Sequence, residues 1–437
     1  MTWDAEDLSP HVDEVAAGLC RYLDASPSPF HAVDRAAILL GEQGFAELDE
    51  RDPTPQEPGR YLVRRGGSLI AWSTERAHGS LTPFRVVGAH TDSPNLRIKP
   101  HPDGAHAGWH TLGVEVYGGA LLTSWLDRDL GLSGRVALRS PHGVQSRLFH
   151  YDEALLRVSQ LAIHLDRSVH TEGVKLNPQQ HLAPHWAGIG GLDFSTWLAQ
   201  QLGVEPADLL GFDAMAHDLT PARRIGRDDD LIASGRLDNL ATSYAGLRAL
   251  VHALDAPVAG PMVPVLALFD HEEVGSTSER GAGSTLLPTW LERIVLAAGG
   301  GREDYLRALA ASVIASGDMA HATHPHYADR HEPAHRIAMN GGPVLKVNSN
   351  LRYATDSSGA AAFRLACEQA DVPVQTFVSR SDLPCGSTVG PTTAALTGVT
   401  TVDFGAPLLS MHSCREVCGV LDQAQYAAAL GAFLAPG

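Results

Sequence analysis

The chain is short of cysteine, of long apolar runs and of positive charge, and each shortage excludes something. Five cysteines among 437 residues are too few and odd in number for a disulfide framework, which fits a reducing compartment. No stretch approaches the roughly 18 consecutive apolar residues that read as a membrane span. The opening M-T-W-D-A-E-D-L-S-P has no basic segment leading into an apolar core, so no signal peptide is expected. A soluble, cytoplasmic protein without a membrane partner is the expectation. Lys and Arg number 33 against 50 Asp and Glu, a net charge of −17. Nucleic-acid binding rests on neutralising phosphates with cations, so no nucleic-acid partner is expected. Internal repeats and low-complexity tracts are also missing.

What is present suits a large enzyme. A chain of 437 residues, 44% of them hydrophobic, can bury a substantial core and predicts two or three domains. Residues 8–48 read as two helices broken at Ser26-Pro27-Ser28-Pro29, 61–72 as a hairpin around Gly66-Gly67, and 84–89 as a short strand. From about residue 99 the texture turns β-rich, with 112–117 and 132–138 separated by glycine turns. Residues 179–191 read as loop and 223–230 as a polar linker. Helical and strand patterns alternate again after Ser234: helices near 240–254, 305–315, 360–370 and 422–434, strands near 263–269, 374–378 and 400–402. Such alternation predicts an α/β mixed sheet covered by helices. The simplest parse is a catalytic domain in two parts, 1–98 and 232–437, interrupted by a β-rich insertion at 99–231.

The chemistry gathers at strand ends. Asp270-His271-Glu272-Glu273 follows the apolar run 262–269, and adjacent ionised carboxylates are costly there unless a cation or partner neutralises them. One of the pair can ligate a metal while the other takes a proton from water; alone, Glu-Glu is also a common surface dipeptide. His90-Thr91-Asp92 follows the next such strand. It reads either as a metal-binding His steadied by a carboxylate or as a loop His beside an Asx turn. Asp238, in Arg236-Leu237-Asp238-Asn239, is either a helix N-cap or a carboxylate between two cations. Asp318 opens a His-dense tract (His321, His324, His326, His331, His335), which binds metal by composition or is simply solvated loop. His412 follows Gly405-Ala406-Pro407, with ligand and structural readings both open.

Other fragments point nowhere. Cys414 and Cys418 lack a second Cys pair for a structural zinc site and read as a helical core pair. D-L-P-C-G-S-T-V-G-P (382–391) is not a nucleophile elbow, and Gly281-Ala282-Gly283 is too short for a dinucleotide loop. The histidines and carboxylates fall at the ends of separate strands, where open α/β sheets place their sites. Two His, several carboxylates and no thiolate suit a hydrolytic two-zinc centre.

Together G-A-H-T-D-S-P (88–94), S-G-R-L-D-N-L (234–240), D-H-E-E-V-G-S (270–276), D-M-A-H-A-T-H-P (318–325), G-P-V-L-K-V-N-S-N-L-R-Y-A-T (342–355), D-L-P-C-G-S-T-V-G-P (382–391) and M-H-S-C-R-E (411–416) resemble the aspartyl aminopeptidase family of zinc metallopeptidases, over nearly the whole chain. The resemblance implies two Zn2+ ions per subunit sharing a hydroxide. His90 and Glu273 would lie on opposite metals, Asp238 would bridge, and Asp318 and His412 would complete the shells. Glu272 would be the general base and Asp92 would orient His90. Substrates would be peptides with a free, acidic N-terminal residue, met by Lys346 with Tyr353 nearby. The resemblance further implies that 99–231 is a dimerisation domain, that dimers build a homododecamer, and that His164 reaches a neighbouring active site. From sequence alone His164 reads as a strand residue on an alternating face, Lys346 as a strand surface charge and Tyr353 as a packing aromatic. Cys414 stands where the family more usually has an aliphatic residue, and Gly317 where it has alanine. A broader aminopeptidase, another dinuclear-zinc amidohydrolase or dipeptidase, and a catalytically silent scaffold are the competing readings.

Overall fold

The computed structural model describes residues 11–188 and 190–437, so residues 8–10 of the expected helical region lie outside it. The chain divides into two compact units. The first takes the residues up to Asp92 together with Ala222–Met411 and Glu416–Gly437, and the second takes Ser93–Pro221 with His412–Arg415. The α/β class expected from the alternation of patterns is what the chain adopts.

The first unit is built on a nine-stranded mixed sheet. At its centre the Val263–Phe269 strand pairs in parallel with Phe84–His90, which pairs in parallel on its other side with Val313–Gly317. Val313–Gly317 in turn runs parallel to Thr400–Gly405. All seven residues of Val263–Phe269 are buried because both faces of the sheet are covered. Leu266 and Leu268 enter one core with Val87 and Ala89, while Val263, Val265, Ala267 and Phe269 enter another with Phe84 and Val86. This is the period of two that sends alternate strand residues to opposite faces. On the first of these faces lies the helix Leu237–Asp255, buried on nearly every side, against Val420–Leu434. Truncating one of these leucines, such as Leu266, to Ala would cost about 2–5 kcal/mol.

A five-stranded sheet also belongs to this unit, in the order Arg223–Ile225, Leu231–Ser234, Glu416–Gly419, Pro407–Leu409, Ala320–His321. It corrects the linker expected at 223–230. That polar stretch is a hairpin, with Arg223 opposite Ala233.

The second unit is a six-stranded antiparallel sheet, in the order Gly143–Leu156, Leu130–Ser140, Leu209–Asp218, Asn95–His106, Trp109–Tyr117, His185–Gly188. The helix Phe194–Leu202 packs Phe194 and Leu198 into its core. Several local expectations change. Residues 179–191 contain a short helix, Pro178–His181, and the strand His185–Gly188. The helix expected at 305–315 ends at Ala310, after which Val313–Gly317 is a strand. Cys414 and Cys418 are not a helical pair: Cys418 is on the Glu416–Gly419 strand, and Cys414 joins the core of the second unit. Among the described residues no helix is long and apolar enough to cross a membrane.

Candidate metal centre

The parallel pairing of the central strands brings their C-terminal ends side by side. His90 is the last residue of its strand and sits opposite Phe269, so Asp270-His271-Glu272-Glu273 begins beside it. Asp318 follows Gly317 at the end of the strand on the other side, and its N–H is held by the Phe404 carbonyl at 3.0 Å. His90 Nε2 then has Asp238 Oδ1 at 3.5 Å, Asp318 Oδ1 at 3.7 Å and Glu272 Oε2 at 4.0 Å. Donor atoms of His90, Asp238 and Asp318 all lie within 4.8 Å of one another, and so do those of His90, Glu272 and Glu273.

Asp92 does more than the sequence implied. The His90 Nδ1–H donates to the Asp92 carbonyl oxygen at 3.0 Å, with the carboxylate at 3.5 Å. This tautomer leaves the Nε2 lone pair for a metal. The two carboxylate oxygens accept the backbone N–H groups of Glu272 and Glu273, each at 3.1 Å. One fully buried residue therefore holds the His through its backbone carbonyl and the turn carrying the acidic pair through its carboxylate. That turn is built on backbone geometry unfavourable to most side chains: His271 has φ 66° and Gly275 φ 97°. At its start the buried Asp270 pairs with Arg280 Nε at 2.9 Å, and its own N–H donates to Ser68 Oγ at 2.8 Å.

Asp238 is not the N-cap that one reading allowed. It sits inside the first turn of Leu237–Asp255 with non-helical φ −84° and ψ 103°, after Arg236 at φ 62°. Its N–H donates to Glu416 Oε2 at 3.0 Å. Glu416, 1% exposed, stands in M-H-S-C-R-E, where the motif implies no role for it. Its position against Asp238 depends on the pairing of Glu416 with Ser234 across the small sheet, which no local pattern reveals.

Charge at this place is concentrated. Burial opposes charging of His90, yet its hydrogen bonds to the carboxylates of Asp238, Asp318 and Asp92 and the charge of Glu272 hold its pKa well above the usual imidazole range. Burial pushes Glu272 up to about 7, with the charges of Asp318, Asp92 and Asp238 adding to it and His90 opposing. So much negative potential converging on one imidazole nitrogen fits a divalent cation. Nitrogen and carboxylate donors without thiolate match catalytic rather than structural zinc.

Lys346 is 2% exposed, on the Val344–Val347 strand. Its Nζ lies 3.4 Å from Asp318 Oδ2 and 5.4 Å from the centre of the Tyr353 ring. The surface-charge reading of Lys346 is thereby corrected. Tyr353, 5% exposed, also packs on Phe377 at 6.4 Å, and it borders a cleft of about 330 Å3 shared with His321, Arg330, His331 and Arg380. The buried Asp403 accepts Ser316 Oγ at 2.6 Å, Thr388 Oγ1 at 2.5 Å and, next to Tyr353, the Ala354 N–H at 2.5 Å. Asp403 was also missed by sequence reasoning; a lone Asp in T-T-V-D-F-G was its only signal. Gly317 is explained by its neighbours, since a Cβ there would meet Thr242 Cγ2 at 2.4 Å and the Tyr426 hydroxyl at 2.8 Å.

In the second unit, His412 has φ 67° and its Nδ1 lies 3.1 Å from the Gly119 carbonyl oxygen. His164 is in an exposed turn and not on a strand; its neighbours Leu161, Ile163 and Leu165 are exposed at 58%, 42% and 76%.

The profile of the family described as aminopeptidase I zinc metalloprotease (M18) matches residues 22–434. A Mycobacterium bovis protein named probable M18 family aminopeptidase 2 is 55% identical over 426 residues, covering 96% of this chain and 98% of its own length. Among solved structures, a chain in the cryo-EM structure of the Ape4 and Nbr1 complex superposes with TM-score 0.93 at 36% identity, covering 99% of this chain and 87% of that one. The S. cerevisiae mApe1 dodecamer superposes with TM-score 0.82 at 25% identity, each chain covered to 96%. The chain belongs to the M18 family, the aspartyl aminopeptidase family of zinc peptidases, and is a zinc metalloaminopeptidase.

Proposed function

We propose that this aminopeptidase removes acidic residues, Asp or Glu, from the N-termini of peptides, using two zinc ions per subunit. The observation that carries the acidic preference is Lys346. A buried ammonium beside the His90 cluster, 3.4 Å from Asp318 Oδ2, is well placed for a charge-assisted contact to a substrate carboxylate.

In this reading His90 and Asp318 would hold one ion, Glu273 and His412 the other, with Asp238 shared between them. The Nδ1 contact of His412 with Gly119 directs its Nε2 to the ligand role, as the Asp92 carbonyl does for His90. Two zinc ions would supply Lewis-acid polarisation of the water and the scissile carbonyl, and a fixed positive site for the free α-amine. Glu272 takes the proton from the attacking water and delivers it to the leaving amine. Its elevated pKa of about 7 suits a group that must both accept and release a proton near neutrality. Asp92 keeps Glu272 in place, and Tyr353 walls the pocket around Lys346.

The second unit is proposed as the dimerisation domain, corresponding to the expected 99–231 insertion, with assembly to a homododecamer like that of the yeast relative. Exposed Leu161, Ile163 and Leu165 around His164 form the apolar surface that an oligomer would cover, and His164 would then serve a neighbouring subunit's substrate.

A broader aminopeptidase or another dinuclear-zinc amidohydrolase would use the same centre without needing Lys346, whereas a silent scaffold would need none of it. Glu272→Gln tests the core of the proposal. Turnover of an Asp-anilide should be abolished while metal analysis still finds about two zinc ions per chain. Persisting turnover would overturn the general-base role, and one zinc in the wild type would overturn the pair.

A further inference from the structure

The second unit carries a histidine–carboxylate cluster of its own, made of residues outside every aminopeptidase motif. His150 and Asp152 lie on the Gly143–Leu156 strand and His217 on Leu209–Asp218. These strands are not neighbours, because Leu130–Ser140 runs between them. At about 4.8 Å per strand their backbones are roughly 9–10 Å apart. Side chains meet across that distance only if the middle strand leaves room.

Two features provide the room. The residue opposite His217 on the middle strand is Gly131, where a Cβ would lie 2.8 Å from His217 Nε2 and 2.4 Å from the Tyr151 carbonyl oxygen. Gly131 thus keeps a gap that any other residue would fill. On the other side the ladder slips: Leu132 pairs with Tyr151, but Leu130 pairs with Leu156. Asp152 falls at this irregularity, the kind of device that re-aims a side chain. His150, two residues earlier, faces the same side of the sheet.

The result is compact. Asp152 Oδ1 is 2.7 Å from His150 Nε2 and 3.4 Å from His217 Nε2, and the imidazole centres are 5.1 Å apart at 61°. Donor atoms of the three residues lie within 4.8 Å of one another. The His217 side chain is 5% exposed and that of Asp152 72%, so the cluster has a buried wall and a route from solvent. Ligands on a tetrahedral zinc, with bonds of about 2.0–2.1 Å, stand about 3.3 Å apart. The 3.4 Å separation already meets this, and the 2.7 Å contact needs to open by about half an ångström.

We propose that His150, Asp152 and His217 form a further metal site, binding zinc through two imidazole nitrogens and one carboxylate oxygen, with water completing the shell. An ion there staples two non-adjacent strands of the sheet across Gly131. The site is independent of the catalytic reading and stands or falls separately from it.

The test uses the full-length chain, stripped with chelator, reloaded with Zn2+, passed through a desalting column and analysed for metal. Wild type should retain one more zinc per chain than His217→Gln or Asp152→Asn, with turnover and far-UV circular dichroism unchanged in both variants. Asp318→Ala, in the catalytic cluster, should lose catalytic zinc and keep this one. Cobalt loading gives a second readout: the wild-type minus His217→Gln visible spectrum should show d–d bands of one bound ion. If His217→Gln fails to fold, the exposed Asp152→Asn decides alone. Equal zinc content in wild type and variants would show the cluster to be a hydrogen-bonded clasp and overturn the proposal.

Discussion

Asp92→Asn separates two jobs that a single residue performs, one through its backbone carbonyl and one through its carboxylate. Asp92 is fully buried, and its two oxygens accept the N–H groups of Glu272 and Glu273 at 3.1 Å each. Asn keeps one acceptor and turns the other into an NH2 group that faces an N–H. One bond falls from charge-assisted to neutral, losing part of about 1.5–3 kcal/mol, and the other leaves a buried donor unsatisfied at about 1–3 kcal/mol. Relief from burying a charge offsets some of this, so the turn should weaken by about 2–3 kcal/mol. A displacement near 1 Å of a positioned catalytic group costs on the order of 10²-fold. The expected result is a kcat about 100-fold below wild type on an Asp-anilide, measured at saturating zinc with metal content checked in parallel. Because the His90 Nδ1 contact is to the Asp92 backbone carbonyl at 3.0 Å, the substitution leaves it in place. A wild-type kcat at saturating zinc, with a loss seen only at low zinc, would refute the reasoning, since Asp92 would then act only through the metal.

Three further outcomes are expected. Lys346→Met should lower kcat/KM for Asp- and Glu-anilides by about 10²-fold, the worth of one charged hydrogen bond of roughly 3 kcal/mol, and leave Leu-anilide nearly unchanged; equal losses on all three would sink the acidic-pocket assignment. Arg280→Ala removes the guanidinium from beside the fully buried Asp270 and should destabilise by about 3–5 kcal/mol in urea denaturation, with Asp270→Asn in the same chain recovering part of the loss; a change under 1 kcal/mol would contradict the pairing argument. Light scattering on the purified protein should give a mass near twelve chains, and a monomer at all concentrations would refute the dodecamer.

Much of the fold was legible because its signals are local. The paired helices Val12–Asp24 and Pro29–Glu42 break where Ser28 caps and Pro29 starts the second, as the Ser-Pro-Ser-Pro run required. The buried strand Val263–Phe269 announced itself by composition. Where the reading failed, competing pairing was the cause. Residues 223–230 are polar enough for a linker, yet Arg223–Ile225 finds a partner in Leu231–Ser234. His164 lies in an apolar run that reads as strand but folds as an exposed turn. The site was half legible: its residue types stood at strand ends, but Glu416 and Asp403 act through partners from distant segments, and their own surroundings in sequence give no such sign.

By itself the sequence determined which residues bear chemistry and at which end of which element they stand, because hydrophobic period and turn residues are read within a few positions. Only the tertiary structure decided what those residues face. The strand order places Phe84–His90 between Val263–Phe269 and Val313–Gly317, and this puts His90, Glu272 and Asp318 around one point. The same holds for Lys346 beside Asp318, and for His150, Asp152 and His217 across Gly131. Adjacency in a sheet is set by packing between segments far apart in the chain, and no local pattern carries that information.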